Sequence, residues 1–338
     1  IVQVDIYMPR MDVMFKEGPV PVERGPIAPI RKHWLNFIEM LNVTHIGKGH
    51  QTKIFELPLW QITPERVKEN SPDADMIYIP HKMRENWLLD DRIRYYMQMV
   101  IPTIFSIDPY GWGATAKSYP LNNFTTLDQG KSDVYDSMAK RILSNTSKFE
   151  QPERKPLLLN YVQNDGHKRR LYDYIFFPCQ IPHDETIKYH SSISVEETLE
   201  CVLKWASGTG KHVVIKGHPV NPGSMASIKE VANRHSHIWV DDYSIHDLIE
   251  NAKMVVTVNS GVGLEAILHG KQVVTFGRAD YDQVTYNANN KNYYDVLSGA
   301  YNTADLVNIN RYKRFLDHWY HTYYDTENSE TFKKVGDY

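Results

Sequence analysis

Lys216, Gly217, His218 and Pro219 form the first of several segments whose residue types and spacing suit phosphate binding. They follow a run of branched apolar residues that is typical of a buried strand. A glycine lets the backbone approach a ligand closely and a proline fixes the exit from a turn, while lysine and histidine donate charge-assisted hydrogen bonds to phosphate. The segment therefore predicts a phosphate-binding turn, with a simple strand-to-turn break and a surface histidine as the alternative.

A second segment, from Asn259 to Glu265, joins a predicted strand to a predicted helix and contains Ser260, Gly261 and Gly263. Small residues at this position expose the N–H groups of a helix start, where anions bind. The segment lacks the G-x-G-x-x-G pattern and the lysine of a P-loop. It predicts a further anion site, unless it is only a tight strand–helix turn.

Two carboxylates follow other predicted strands of the second half. Gln180 ends one strand and is followed by His183 and Asp184, whose carboxylate could act as a nucleophile or general base or could only cap the next helix. Asp165 follows another strand within an Asn-Asp-Gly sequence that is also a common turn signal. The sequence leaves both interpretations open for each carboxylate.

In the first half, Asp108, Tyr110 and Trp112 follow a predicted strand and could bind a sugar. Aromatic rings stack on sugar faces and a carboxylate accepts hydrogen bonds from hydroxyls, although a turn with a packed tryptophan is an equally good interpretation. The pair Asp73 and Asp75 matches a D-x-D metal motif but precedes a strand, so it predicts a loop. Because the chain also lacks H-E-x-x-H and C-x-x-C spacings, we expect no metal.

The alternation of strand patterns with helical patterns defines the elements that must position these residues. It predicts an α/β protein with parallel sheets, in which ligands bind beyond the carboxyl ends of the strands. A polar, proline-bearing stretch at residues 144–156 predicts a linker between two domains, 1–150 and 151–309, with 310–338 packing back on the first. The predicted strands are 1–8, 76–80, 103–108, 157–162, 174–180, 212–217, 237–241, 254–259 and 272–277, and the predicted helices include 32–41, 91–99, 195–206, 224–234 and 309–324.

The composition of the 338-residue chain excludes several classes of protein. A hydrophobic content of 42% excludes a disordered chain, and a net charge of −3 provides no global field for nucleic acid or anionic lipid. Two cysteines, Cys179 and Cys201, cannot form a disulfide framework, and no apolar run is long enough to span a membrane. The chain begins without Met and without a signal-peptide pattern, so we expect a trimmed end. From the composition as a whole we expect a soluble, cytoplasmic protein.

Taken together, these segments resemble the retaining β-Kdo transferases of capsule and O-antigen biosynthesis, which transfer 3-deoxy-D-manno-octulosonic acid (Kdo). The resemblance is carried by residues 95–98, 106–113, 180–184, 216–219, 258–265 and 275–277 and spans most of residues 91–280. It implies a sialyltransferase-like GT-B fold, in which two Rossmann-like domains face a cleft and the C-terminal helix returns to the N-terminal domain. It also implies CMP-β-Kdo as the donor, no metal, and a lipid-linked glycan acceptor. A location at the inner membrane of a Gram-negative bacterium would require contact through other segments of a longer protein.

The resemblance further implies roles for particular residues. His218 would hold the CMP phosphate together with Ser260 and Gly261, while Lys216 and Arg278 would hold further negative charge. The remaining implied donor-side residues are Gly217, Pro219, Gly263 and Gln180, and the acceptor would enter near Asp108, Tyr110 and Trp112.

The family retains the β configuration, and retention by double displacement needs a carboxylate nucleophile at the anomeric carbon. We place Asp184 in that role. The alternative is an inverting CMP-sugar transferase with Asp165 as the base, since Asn164-Asp165-Gly166 resembles the motif that supplies the base in inverting sialyltransferases. Two other functions fit the same fold: a nucleotide-sugar epimerase or hydrolase, and a non-catalytic module that binds nucleotide or glycan.

Overall fold

The computed structural model describes residues 1–10, 15–17, 20–22, 28–121, 124, 133–163, 165–219 and 222–337. The chain divides into two compact units: unit 1 is Ile1–Asn122 with His318–Tyr338, and unit 2 is Asn123–Asp317. The first division falls before the stretch at 144–156, so that stretch belongs to unit 2. Each unit contains a sheet of mostly parallel strands, which confirms the predicted α/β class with two Rossmann-like domains.

Unit 1 is built on a sheet of mixed direction. Its described elements are β1 (Gln3–Pro9), β2 (Phe15–Glu17), β3 (Val20–Val22), α1 (Ala28–Gly47), β4 (Gln51–Leu57), α2 (Pro64–Asn70), β5 (Met76–Pro80), β6 (Ile93–Gln98), β7 (Ile104–Asp108) and β16 (Tyr324–Asp325). The main sheet has the order β16-β7-β6-β5-β1-β4, in which β4, β1, β5 and β6 are parallel and β7 is antiparallel to β6. Nearly every residue of β1 is buried, as expected for a parallel strand that is covered on both faces.

The prediction of a helix at residues 91–99 is wrong. Residues Ile93–Gln98 form β6, in which Tyr95 and Tyr96 are completely buried. Isoleucine and tyrosine favour strands, and pairing with β5 on one side and β7 on the other fixes the segment inside the sheet. A strand that is buried on both faces loses the strict alternation of polar and apolar residues, so it can mimic helical spacing.

The C-terminal residues complete unit 1. The predicted C-terminal helix is α10 (Ile309–His321), which belongs to unit 2 as far as Asp317, so the return to unit 1 begins at His318 and not at residue 310 as predicted. Strand β16 pairs antiparallel with β7. Phe332 and Val335 lie in one core cluster with Trp34 and Phe37 of α1, where the ring centroids of Phe37 and Phe332 are 5.9 Å apart. Burial of a large apolar side chain stabilises a fold by roughly 1.5–3 kcal/mol. The C-terminal segment is therefore part of the core of this unit.

Unit 2 is built on a parallel sheet. Its described elements are α3 (Asp133–Leu143), β8 (Asn160–Val162), β9 (Lys168–Arg170), β10 (Ile175–Pro178), α4 (Glu185–His190), α5 (Val195–Thr209), β11 (Val213–Lys216), α6 (Ala226–Ala232), β12 (Ile238–Trp239), α7 (Ile245–Asn251), β13 (Met254–Thr257), α8 (Val262–Leu268), β14 (Gln272–Thr275), β15 (Tyr286–Asn287) and α9 (Tyr293–Asn302). The main sheet has the order β12-β11-β10-β13-β14-β15, and each pair is parallel. Every residue of β10, β11, β13 and β14 is buried, which explains their continuous apolar runs.

The predicted strand at 157–162 does not belong to this sheet. Only Asn160–Val162 is a strand, and it pairs antiparallel with Lys168–Arg170 in a separate two-stranded ribbon. The residues of this ribbon are mostly exposed, so it has no apolar face to pack on a core. Asp165 lies in the turn of the ribbon, and the prediction that it follows a strand of the parallel sheet is wrong.

Candidate functional site

The loops at the carboxyl edge of the unit 2 sheet hold most of the predicted donor-side residues. Parallel strands end at the same edge, so the loops after β11, β10, β13 and β14 are neighbours in that order. These loops carry, in turn, residues 216–219, 180–184, 259–263 and 277–278. The fold thus brings together segments that are far apart in the sequence.

Gln180 joins the ends of β10 and β13. Its Oε1 accepts hydrogen bonds from Thr257 Oγ1 and Asn259 N, both at 3.1 Å, and its Nε2 donates to Asn259 Oδ1 at 2.8 Å. Asn259 Nδ2 donates in turn to the carbonyl oxygens of Thr186 and Arg278, at 2.9 and 3.3 Å. The Gln180 side chain is buried and used in these bonds, so it positions the loops instead of facing a donor as predicted.

Lys216 also fixes a loop. Its buried Nζ donates to the carbonyl oxygen of Asp241 at 2.7 Å, and Gly217 N donates to Asp241 Oδ1 at 2.9 Å. The second carboxylate oxygen, Asp241 Oδ2, accepts from Trp239 Nε1 at 2.9 Å. Burial lowers the pKa of Lys216, and the negative charge of Asp241 opposes that shift. The Lys216 ammonium is thus bonded to the loop after β12.

His218 and Pro219 continue the loop after β11. His218 N donates to Met225 Sδ at 3.4 Å, and the imidazole lies edge-on to the Phe149 ring with 5.4 Å between centroids. The His218 side chain is half-buried and Pro219 is exposed. These contacts hold the imidazole at the sheet edge.

The turn after β13 is held by Ser260 and Tyr281. Ser260 Oγ accepts from Val262 N at 3.2 Å, which leaves the hydroxyl proton for a ligand, and Tyr281 Oη donates to the Ser260 carbonyl oxygen. A Cβ at Gly263 would lie 2.2 Å from Tyr281 Oη, so this position requires glycine. Gly263 therefore acts indirectly, because it makes room for the ring that holds Ser260 and Gly261.

Asp184 lies in the loop after β10, between the loops of His218 and Ser260. Its Oδ1 accepts from Thr186 N at 2.9 Å and Thr186 Oγ1 at 2.8 Å, which is the helix-capping arrangement that the sequence left open. Its Oδ2 accepts no hydrogen bond from any described residue, and the side chain is exposed. One carboxylate oxygen thus fixes the side chain while the other is available.

Sequence reasoning missed Lys148, which lies near Asp184. Burial lowers the pKa of the Lys148 amine and the negative charge of Asp184 opposes that shift, so the two charges are close enough to interact. The amine is also 5.6 Å from the Phe149 ring centroid. Lys148 belongs to the stretch at 144–156 that was interpreted as a linker, and nothing in that composition marks which residue returns to the sheet.

Asp165 has a different environment. Its Oδ1 accepts from His167 N at 2.9 Å and closes the turn of the ribbon, and its Oδ2 is 3.7 Å from an Arg169 nitrogen. The preceding Asn164 lies outside the described residues. The exposed Asp165 is thus a turn residue and does not belong to the loops of the sheet edge.

A cavity of about 440 Å³ lies beside the end of β14. It is lined by the end of α4 and the residues after it, by the end of β14 and the following loop, and by β15; these include His190, Ser192, Arg278, Asp282 and Asn287. Arg278 is exposed, and its guanidinium forms no hydrogen bond or ion pair with any described residue. Burial and the charge of Arg278 lower the pKa of His190 to about 4, so this ring is neutral at neutral pH.

A buried chain of polar side chains joins the stretch at 144–156 to α7 and α8. His269 Nε2 is 3.0 Å from His246 Nδ1, His246 Nε2 is 3.0 Å from Ser147 Oγ, and Ser147 Oγ donates to Glu265 Oε2 at 2.5 Å. Burial raises the pKa of Glu265 to about 8 and, with the charge of neighbouring groups, lowers that of His246 to about 3. Both groups are therefore neutral at pH 7, and their 3.6 Å approach is not an ion pair.

The predicted acceptor-side residues lie in unit 1. Asp108 is buried, and its Oδ1 accepts from Tyr110 N, Gly111 N and Lys117 N at 2.8, 3.3 and 2.9 Å. Burial raises the pKa of Asp108 and the backbone bonds oppose that shift. Trp112 is 5% exposed, whereas Tyr110 is 43% exposed. Asp108 therefore organises its own loop and Trp112 is packed, so only Tyr110 of these three presents its side chain to solvent as predicted.

The described residues hold neither a metal-binding cluster nor a membrane-spanning helix. Among them, no group of three or more histidine, cysteine, aspartate and glutamate side chains could hold a metal ion. Within the same residues, no helix has the length and apolar character needed to cross a bilayer. Both cysteines are buried free thiols.

Comparison with known proteins finds a family model and relatives that are similar to parts of this chain. Residues 157–306, all within unit 2, match the family model described as "Capsule polysaccharide biosynthesis protein". Over 122 residues the chain is 32% identical to Protein FixF of Sinorhizobium fredii (strain NBRC 101917 / NGR234). This match covers 32% of this chain and 27% of FixF. Over 120 residues the chain is 30% identical to Capsule polysaccharide export protein KpsS of Escherichia coli. This match covers 32% of this chain and 31% of KpsS.

The matched segment spans less than a third of the length of these curated relatives. Among solved structures, the chain is similar to Thermosulfurimonas dismutans KpsC, beta Kdo 2,7 transferase. That similarity has 17% sequence identity and a TM-score of 0.48, and it covers 88% of this chain and 90% of the other.

Proposed function

We propose that the protein is a glycosyltransferase that transfers Kdo from CMP-β-Kdo to a bacterial surface polysaccharide, of capsule or O-antigen type, with retention of configuration. The observation that carries the proposal is the order of loops in unit 2, where Asp184 lies between the loop of His218 and the turn of Ser260. A carboxylate is thereby flanked by two groups that can donate hydrogen bonds to one phosphate. The family match of residues 157–306 supports a role in polysaccharide synthesis, and the resemblance of the site segments to Kdo transferases supports the choice of donor.

In this proposal the donor phosphate binds between His218 and Ser260. His218 donates from its imidazole, and Ser260 donates the hydroxyl proton that its bond from Val262 N leaves unused. The backbone N–H of Gly261 lies beside Ser260 and can add a further donor. Lys216 contributes positive charge from behind the loop, because its ammonium is bonded to the carbonyl oxygen of Asp241.

Asp184 is the proposed nucleophile. Its Oδ2 attacks the anomeric carbon of Kdo, the bond from that carbon to the phosphate oxygen breaks, CMP leaves, and a covalent Kdo–Asp184 intermediate forms. Lys148 is close enough to Asp184 for the two charges to interact. An acceptor hydroxyl then attacks the same carbon, gives its proton to water and releases Asp184. Two successive inversions give net retention.

The proposal includes no metal, because the charge of the leaving phosphate is met by protein donors. We therefore expect turnover to be unchanged after treatment with EDTA. The acceptor is a lipid-linked glycan, and the protein acts in the cytoplasm at the inner membrane of a Gram-negative bacterium, with membrane contact supplied by other segments of a longer protein. Loss of turnover with EDTA and recovery with one divalent ion would contradict the metal-free part of the proposal.

The test is to incubate the protein with CMP-β-Kdo without acceptor and to measure both intact mass and CMP release against a control without protein. A Kdo-sized increase in mass that maps to Asp184 is the expected result. The matched variant is Asp184→Asn, which keeps the helix cap and removes the nucleophile. CMP release with an unmodified chain would instead favour hydrolysis or an inverting reaction.

A further inference from the structure

The cavity beside β14 is a second feature of the same sheet edge that the proposed mechanism does not use. It lies one strand beyond the Ser260 turn, because β14 is the neighbour of β13. The two sites are physically linked, since Asn259 Nδ2 donates to the carbonyl oxygen of Arg278 at 3.3 Å. A ligand whose phosphate lies at Ser260 would have to reach across about one strand spacing, roughly 5 Å, to enter this cavity.

The polar groups of the cavity suit an anionic ligand that also carries hydroxyls. The Arg278 guanidinium has no hydrogen-bond or ion-pair partner among the described residues. Asn287 Oδ1 accepts from Thr275 Oγ1 at 3.0 Å, which leaves its Nδ2 protons for a ligand, and Ser192 is exposed at the rim. Asp282 Oδ2 accepts from Ala279 N at 3.1 Å, so this carboxylate is held by the loop backbone.

The opposite end of the sheet edge carries carboxylates that have cationic neighbours, since Lys155 Nζ is 3.2 Å from Asp242 Oδ2 and Lys216 Nζ donates to the carbonyl oxygen of Asp241. Asp241 and Asp242 follow β12 and are exposed, so carboxylates lie beyond the loop of His218. β11 and β14 are three strand spacings apart, or roughly 14 Å. A nucleotide sugar bound across this edge has its phosphate in the middle, and its nucleoside and sugar must point to opposite ends. Exposed carboxylates accept hydrogen bonds from ribose hydroxyls, whereas the guanidinium of Arg278, which has no partner among the described residues, can bind the carboxylate of an acidic sugar.

We infer that the cavity beside β14 binds the sugar of the donor, with Arg278 holding the sugar carboxylate and Ser192 and Asn287 contacting its hydroxyls. The nucleoside then points toward Asp241. This inference rests on the proposed function and deepens it, because it makes Arg278 the residue that selects an acidic sugar over a neutral one.

The first arm of the test separates the sugar from the nucleotide. Arg278→Gln is expected to raise the KM for CMP-β-Kdo about 10- to 100-fold, and to leave the Kd for CMP within about twofold. Arg278→Lys keeps the charge and recovers part of the loss. Arg169→Gln, an exposed arginine of the separate ribbon, is the matched control and should change neither quantity. Equal weakening of CMP and CMP-β-Kdo by Arg278→Gln would show that the cavity binds the nucleoside, and no change in either would also overturn the inference.

The second arm needs no turnover. Saturation-transfer NMR with CMP present should detect free Kdo on the wild-type protein, a weaker signal with its carboxamide, and no signal with Arg278→Gln. Kdo binding without any transfer would support the cavity while counting against the proposed function. Turnover of CMP-β-Kdo without an effect of Arg278→Gln would overturn the cavity while leaving the proposed function standing.

Discussion

Asp108 in unit 1 and Asp184 in unit 2 follow strands of similar pattern but have opposite environments. Asp108 is 6% exposed, and one of its oxygens accepts hydrogen bonds from three backbone N–H groups. Asp184 is exposed, and only one of its oxygens is used, as the cap of a short helix. A carboxylate after a strand is thus available for chemistry only if the backbone of its own loop leaves an oxygen unbonded.

The directions of the two strands explain part of this difference. β10 is parallel to both of its neighbours, so Asp184 leaves the sheet at its carboxyl edge. β7 is antiparallel to β6, with Asp108 opposite Tyr95, so the loop after Asp108 heads toward the amino ends of the parallel strands. The rule that ligands bind beyond carboxyl ends applies to parallel strands, and it does not extend to Asp108.

The largest expected effect is the loss of catalysis in Asp184→Asn. Asparagine caps a helix as well as aspartate does but cannot attack the anomeric carbon. We expect the transfer rate to fall roughly a thousandfold or more, with an unchanged Tm. Asp108→Asn should do the reverse, because its amide places two hydrogen-bond donors in a buried loop that already supplies backbone donors, which costs about 1–3 kcal/mol of stability. Thermal melts and donor turnover should be measured on both variants. If Asp108→Asn damaged catalysis more than Asp184→Asn, the proposed difference between the two carboxylates would be wrong.

A smaller effect is expected from His218→Ala. Removing one charge-assisted hydrogen bond to phosphate should weaken CMP binding about 10- to 100-fold. Calorimetric titration with CMP measures the change directly. His167→Ala, in the exposed turn of the ribbon, is the control and should bind CMP normally. Equal affinities for all three proteins would remove His218 from the proposed phosphate site.

Gly263→Ala should destabilise unit 2 by an amount typical of overpacking, about 1–3 kcal/mol. The new methyl group would collide with Tyr281, whose hydroxyl holds the Ser260 carbonyl, so CMP binding should weaken as well. Gly299→Ala is the matched helical control, because a Cβ there meets nothing within 4 Å. That variant should gain about 0.5–1 kcal/mol. Chemical denaturation of the two variants distinguishes a steric effect from a general effect of alanine.

The smallest effect concerns pH. The pKa of Glu265 is raised to about 8 from 4.5, so the folded protein keeps a proton that the unfolded chain releases. The contribution of Glu265 to the free energy of unfolding is fully present below pH 4.5 and declines as pH rises toward 8. The low pKa of His246 acts in the opposite direction, but only below pH 6.5. Between pH 6.5 and 8, Glu265→Gln should therefore show a flatter Tm than the wild type.

The control for this measurement is Glu230→Gln, which changes an exposed helix carboxylate. Its Tm should follow the wild-type pH dependence. A wild-type slope that survives in Glu265→Gln would mean that another group titrates in this range.

The parts of the fold that the sequence predicted are those with local signals. The strands of unit 2 have continuous branched apolar runs because both faces are buried, and β10, β11, β13 and β14 were located within a few residues. β6 was missed because a doubly buried strand has no alternation, and the 157–162 segment was misassigned because a run of apolar residues does not reveal its pairing partner.

The candidate site was predictable only in outline. Types and spacing located the loops of His218, Ser260 and Asp184, because parallel strands share an edge. They did not distinguish side chains that face a ligand from side chains that hold the loops, and Gln180 proved to be of the second kind. Lys148 was missed because its position depends on how a polar stretch packs on unit 2, which no local pattern encodes.

Unit 1 is made of two segments that are far apart in the sequence, and this affects the order in which the units can fold during synthesis. A ribosome delivers residues 1–122 first, yet the strand β16 and the core residues Phe332 and Val335 arrive only with the last part of the chain. Unit 2 is contiguous and is fully synthesised before those residues emerge. The unit that begins first is therefore completed last, and until then its β7 edge and part of its aromatic core have no partner from the same unit.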